Sequence, residues 1–74
     1  MRLRDMREDR DLTQKQLAEY LHIRQNTYSQ YENGRRELPI DALVALARFF
    51  GTSTDYILGL TDEKQPYPRS ATLQ

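Results

Sequence analysis

Residues 24–33 read Arg-Gln-Asn-Thr-Tyr-Ser-Gln-Tyr-Glu-Asn, a segment dominated by amide and hydroxyl side chains. Wound as a helix at about 100° per residue, Tyr28, Tyr31 and Glu32 share roughly one third of the circle. Asn26, Ser29, Gln30 and Asn33 fall on the opposite side, with Gln25 at its edge. Solubility faces usually carry Lys and Glu, whereas this arc is almost free of charge. Such an arc suits a neutral, hydrogen-bonding target. In the major groove of DNA, Gln or Asn can hold adenine N6 and N7 through two hydrogen bonds at once, a contact that discriminates by about 1–3 kcal/mol. Gln25, Asn26 and Gln30 are therefore candidate base readers. Thr27 and Ser29 add hydroxyls, and the Thr27 methyl suits thymine. The competing reading of the same arc is an ordinary solvated helix face.

Other chemistries find little support. The chain has 74 residues, no Cys and a single His. Disulfide frameworks, thiolate metal sites and His-rich zinc sites are excluded, and no metal or other cofactor is expected. No activated nucleophile, acid–base pair or Gly-rich phosphate loop is visible, so an enzyme is not expected. The longest uncharged apolar run, residues 42–47, is far short of the roughly 20 residues that span a bilayer. The opening Met-Arg-Leu-Arg-Asp has no leader-like apolar stretch, which points to a cytoplasmic protein without membrane contact.

Helical spacing must position the amide arc. Leu3, Met6 and the stem of Arg10 recur at intervals of three and four, predicting a first helix over about residues 2–10. Most of its charges, Arg2, Arg4 and Arg10 with Asp5, Glu8 and Asp9, read as a solvated face. Thr13-x-x-Gln16 is a capping box opening a second helix, with Leu17, Ala18 and Leu21 on one side. After a short turn the polar third helix runs over about 25–32, and Asn33-Gly34 stops it. Pro39 can sit in the first turn of a fourth helix carrying Ile40, Leu43, Val44, Leu46, Ala47 and Phe50. Gly51 ends it, Ser53 caps a short fifth helix through Leu58, and Gly59 closes that one. The expected fold is all-α: five short helices in one domain over residues 1–60. Residues 61–74 read as a flexible Pro-containing tail, although Tyr67 or Leu73 could dock.

These residues resemble a known family. Leu12-Thr13-Gln14-x-x-Leu17-Ala18-x-x-Leu21, Ile23 and Tyr31-Glu32-Asn33-Gly34-Arg35-Arg36 are similar to the helix-turn-helix domain of the lambdoid phage repressor and Cro regulators. The likeness continues through Leu46-Ala47-Arg48-x-x-Gly51-x-Ser53-x-Asp55-Tyr56-Ile57-Leu58-Gly59. It implies that helices two and three form the motif, with the third in the major groove. It implies base reading by Gln25, Asn26 and Gln30. Gln14 is implied to touch a phosphate while bracing the reading helix, and Asn33 and the residues after Gly34 to grip the backbone. Two positions depart from the family pattern: Asp11 and His22 stand where Gly is usual, so both are expected to be left-handed. Glu32 points towards the apolar side of its helix, where an unpaired acid is costly. The resemblance supplies Arg7 as its partner.

Lys plus Arg number eleven and Asp plus Glu also number eleven, giving a net charge of zero, which is unusual for a partner of double-stranded DNA. Distribution matters more than the sum. Arg35 and Arg36 follow the reading helix, and Lys15 and Arg24 flank it, forming a candidate basic rim. The resemblance also implies a homodimer on a palindrome. Phe49, Tyr56, Ile57, Leu58 and Leu60 either supply part of that interface or finish the monomer core. The expected function is sequence-specific DNA binding by a transcriptional regulator, a repressor above all. The alternative is an antitoxin or other interaction module whose Pro66-Tyr67-Pro68 tail holds a partner protein.

Overall fold

The computed structural model describes residues 1–68, in which five helices follow one another: α1 Leu3–Asp9, α2 Gln14–Leu21, α3 Gln25–Glu32, α4 Ile40–Phe50 and α5 Thr54–Leu58. No strand occurs among the described residues. Each helix contributes one fully enclosed side chain to a shared centre: Leu3, Leu17, Tyr28, Leu46 and Ile57 are each at most 1% exposed. Ala18, Tyr31, Ala47 and Phe50 complete that core, and Met6, Leu12, Leu21, Ile23, Leu38, Leu43 and Phe49 pack around it. Complete burial is worth about 1.5–3 kcal/mol for each of the four aliphatic side chains among them. No helix is long enough to be stable alone. The fold therefore exists because five short amphipathic segments close on one another.

Local chemistry sets the helix limits. The Thr13 hydroxyl accepts from the Gln16 amide at 3.1 Å, and the Gln16 side-chain carbonyl accepts from the Thr13 amide at 2.8 Å. This is the expected capping box. Ser53 Oγ accepts from the Tyr56 amide at 3.0 Å and starts α5 in the same way. Pro39 stands one residue earlier than expected, as the extended residue before α4 rather than in its first turn. Asp11 and His22 are left-handed, with φ of 56° and 59°. At His22 this bend returns the Ile23 amide to the Ala18 carbonyl at 3.0 Å, which ends α2 and leaves three residues to turn into α3.

Most of the α1 charges, Arg4, Asp5, Glu8, Asp9 and Arg10, are exposed as a solvated face requires, yet Arg4 and Arg10, with the half-buried Arg2, also reach across to other elements. Arg2 lies over the Tyr56 ring at 4.2 Å and donates to the carbonyls of Tyr56 and Thr61 and to Asp62. Arg10 donates to the Phe50 carbonyl at 2.8 Å, tying α1 to the end of α4. Arg4 reaches Glu32 at 3.6 Å. Among the described residues, 61–68 form no helix but are fastened back onto the domain. Besides the Arg2 contacts, Thr52 Oγ1 donates to the Lys64 carbonyl at 2.7 Å and the Tyr67 hydroxyl donates to Asp55 at 2.9 Å. Leu73 and residues 69–74 lie outside the described residues.

The left-handed turn at His22 makes a direct prediction. His22 is exposed, and a side chain in that backbone region costs about 1 kcal/mol or more, partly offset by the greater freedom of an unfolded glycine. His22→Gly should raise the melting temperature by about 2–6 °C in a domain of this size. A clear fall in thermal unfolding experiments would mean that the imidazole makes a contact the backbone argument ignores.

Candidate nucleic-acid interface

α3 is held by its buried side and presents the other. Tyr28 and Tyr31 are in the core, whereas Gln25 and Asn26 are exposed at the first turn and Ser29 and Gln30 are half-exposed one turn on. Gln25, Asn26, Ser29 and Gln30 line one open depression together with Gln14 from α2 and Arg35 from the following loop. Of the base-reading candidates, only Thr27 is not among them. It is half-buried on the flank that runs towards Tyr31.

Glu32 fixes the angle of this helix. Its side chain has no exposed area, and its carboxylate receives hydrogen bonds from Arg7 Nε at 2.7 Å and Arg7 Nη2 at 3.2 Å. The pairing expected for Arg7 and Glu32 is thus present, in a bidentate form. Gln14 Nε2 donates to the same carboxylate at 3.1 Å, so Gln14 braces α3 through Glu32. Arg7 also donates to the Leu12 carbonyl at 2.8 Å, closing the turn after α1. Burial opposes ionisation of Glu32, yet the hydrogen bonds from Arg7 and Gln14 and the Arg7 charge outweigh it and hold the carboxyl below its ordinary range. The hydrogen bond to Glu32 correspondingly raises Arg7 against the effect of burial. Burial, and then the neighbouring Glu32, push the Tyr28 phenol far above its usual range, so it stays a neutral core residue.

The loop after α3 turns sharply at Gly34, whose φ of 79° few other residues adopt without strain. The Asn33 side-chain carbonyl accepts from the Arg35 amide at 3.2 Å, which makes Asn33 a brace of the loop. The amides of Arg35 and Arg36 both donate to the Gln30 carbonyl, at 2.9 and 3.3 Å. This brings two arginines back beside the reading arc. Lys15, Arg24, Arg35 and Arg36 are all exposed, as a phosphate-gripping rim requires. Arg4 joins the Glu32 cluster instead: about half its side chain is exposed, and it lies 3.6 Å from the Glu32 oxygen that Gln14 also holds. Its spacing of three from Arg7 placed both on one face of α1, and that was the available signal.

The five apolar residues considered for an interface divide. Ile57 is wholly inside the monomer, because its helix docks that side chain between the others and its carbonyl accepts from the Arg2 amide at 2.8 Å. It is removed from the interface set. Phe49 stacks between Tyr20 at 4.7 Å and Phe50 at 5.0 Å, and Tyr56 is half-covered by Arg2. Leu58 and Leu60 remain open, at 43% and 73% exposure.

A helix pair with a three-residue turn, whose second helix carries a braced amide face beside a cationic rim, defines a DNA-binding module. The chain belongs to the helix-turn-helix family, whose pattern it matches over residues 3–57. Its relatives are HTH-type transcriptional regulators, and this family is one of DNA-binding proteins rather than enzymes. The chain is 48% identical over 65 residues to the HTH-type transcriptional regulator YobD of Bacillus subtilis, covering 88% of this chain and 58% of that protein. It is 41% identical over 58 residues to ImmR of the same organism, covering 78% and 46%. With the cryptic phage CTXphi transcriptional repressor RstR of Vibrio cholerae it shares 36% identity over 50 residues, covering 68% and 45%. The chain thus spans about half the length of these relatives. No solved structure matches it significantly. No helix among the described residues is long and apolar enough to cross a membrane.

The Glu32 cluster generates two predictions. Glu32→Ala leaves Arg7 without its main partner and should cost about 3 kcal/mol in chemical denaturation; a loss below about 0.5 kcal/mol, typical of a surface change, would put the carboxylate in water. The folded carboxyl titrates below the unfolded value of about 4.3. Its stabilising contribution is therefore complete above that pH and is lost as pH falls towards the folded value. Glu32→Gln should flatten this acid limb of the stability profile, and an unchanged limb would assign it to other carboxyls.

Proposed function

We propose that this chain binds double-stranded DNA sequence-specifically in the cytoplasm, with α3 in the major groove, and represses transcription from a palindromic operator as a homodimer. The observation that carries this reading is the depression in which Gln25, Asn26, Ser29 and Gln30 stand beside Gln14 and Arg35 on a helix locked by Glu32. Gln25 and Asn26 read bases from the end that enters the groove first, and Gln30 reads one turn further on. Lys15, Arg24, Asn33, Arg35, Arg36 and the second N–H of the Gln14 amide, the one not given to Glu32, meet the phosphates that orient them.

A single small domain reads few bases, and two copies reading successive grooves about 34 Å apart double that number. The exposure of Leu58 and Leu60 supports pairing through the end of α5. Repression is supported by the name of the Vibrio cholerae relative. For a partner-binding tail there is less support, since Tyr67 hydrogen-bonds Asp55 of its own chain and Pro66, Tyr67 and Pro68 share one groove with Val44 and Ala47.

Selection of bound duplexes from random DNA tests the reading. The expected result is an enriched palindrome whose specificity changes in Gln25→Ala at symmetric positions. No enriched sequence at low salt would overturn it. The slope of log affinity against log salt should be modest, about −4 or shallower per bound domain, as four or five neutralised phosphates would give. A slope near −10 would show a much larger basic surface.

A further inference from the structure

The geometry points to Arg36 as a positioning residue that sets which base Gln30 reads, by fixing the direction of the Gln30 amide. This inference rests on the DNA-binding reading above. Arg36 Nε donates to Gln30 Oε1 at 3.0 Å. A guanidinium has no acceptor atom, so the end of the Gln30 amide that faces it must be the carbonyl. The contact is built by the backbone as well: Gly34 bends the chain, and the Arg35 and Arg36 amides both donate to the Gln30 carbonyl of the main chain. Arg36 is thereby returned over the last turn of α3 rather than left to find Gln30 by chance. Its two Nη groups stay available for a phosphate, so one side chain can join the backbone contact to the base contact.

The consequence is chemical. A glutamine with both amide ends open pairs with adenine, donating to N7 and accepting from N6. The bond from Arg36 takes one of the two lone pairs of the Gln30 carbonyl and fixes the amide plane, so Gln30 keeps both N–H donors but a single acceptor site. In the major groove guanine presents two acceptors, O6 and N7, thymine one at O4, and adenine sets its N6 donor beside N7. An amide held with two donors against one remaining acceptor suits the paired acceptors of guanine, whereas adenine N6 must meet that one lone pair in a direction Arg36 has already set. Gln30 thus favours guanine, although its residue type alone predicts adenine. Gln25 and Asn26 receive no such partner among the described residues and keep both amide ends for bases.

Selection from random DNA with four proteins tests this. Gln30→Ala first identifies the base pair under Gln30 as the position whose preference is lost. The wild-type protein should prefer guanine there. Arg36→Ala should shift that one position towards adenine by about fivefold or more, within the range a bidentate contact discriminates, while other positions keep their preference. In the double variant Gln30→Ala, Arg36→Ala the second change should add only a uniform loss of affinity. Unchanged thermal unfolding of Arg36→Ala, an exposed site, confirms that the fold is intact. A wild-type preference for adenine at that position would overturn the inference. So would an Arg36→Ala protein that binds all sequences more weakly with its preferences unaltered, because Arg36 then serves phosphate alone. The absence of any position that responds to Gln30→Ala also overturns it while leaving DNA recognition standing. If the wild-type protein enriches no sequence, the functional reading itself falls and takes this inference with it.

Discussion

One buried carboxylate governs the geometry of this domain. Glu32 stands at the end of α3 and is held by Arg7 and Arg4 of α1 and by Gln14 at the start of α2. A charge taken from water costs several kcal/mol, and paired burial often gains little over a well-packed apolar cluster. The pair is therefore better understood by its directionality than by its stability. Apolar contacts alone would let a two-turn helix roll or slide by a fraction of a turn. A bidentate guanidinium–carboxylate pair does not, because its two hydrogen bonds fix angle and distance together. Base reading demands placement within a few tenths of an ångström. The carboxylate acts directly after the buried Tyr31, and it restrains the same helix whose opposite face carries Gln25, Asn26 and Gln30.

The turns work to the same end. Asp11 and His22 are left-handed without being glycine, and each allows a sharp change of direction in few residues. After Asp11 the chain brings the Leu12 carbonyl within reach of Arg7, so the first turn is fastened to the Glu32 cluster. After His22 only two residues precede α3. Short connections leave α2 and α3 little freedom to vary their angle. Strain in one pair of turns and a charge in a dry site are thus features of one solution, which sets two helices at a defined angle before any DNA arrives.

Caps and apolar spacing made the helices legible, because Thr13, Ser53, Gly51 and Gly59 act within a few residues of where they stand. The amide arc was legible for the same reason: 100° per residue assigns faces to a helix whatever surrounds it. The Arg7–Glu32 pair came from family resemblance, since nothing in local sequence links residues 25 apart. Ile57 was grouped with Leu58 because a five-residue helix has too few turns for periodicity to show which apolar residue faces inward. Nothing in the spacing of α1 marks the contacts of Arg2 and Arg10, because their partners are a ring and carbonyls contributed by residues 40 and more positions away. The contacts of residues 61–67 carry no pattern at all, being single hydrogen bonds to the domain. The bond from Arg36 to Gln30 was equally hidden, because it depends on how Gly34 returns the chain.

Where the charges reside explains how a chain with zero net charge can face DNA. Arg7 is paired with Glu32 inside the domain, and Arg4 with Glu32 and Arg2 with Asp62 at its surface, so part of the positive total is neutralised away from the reading helix's exposed face. Lys15, Arg24, Arg35 and Arg36 stand exposed around the reading helix. A phosphate within a few ångströms of that rim meets those cations directly, whereas charges beyond a Debye length of about 8 Å are largely screened at physiological salt. A neutral body therefore does little to weaken contacts already made. What it removes is the long-range attraction that draws a basic protein to any DNA. On the proposed reading, base contacts and the pairing of two copies supply a larger share of affinity. That division favours the few sequences that satisfy the amide arc over the many that merely present phosphates.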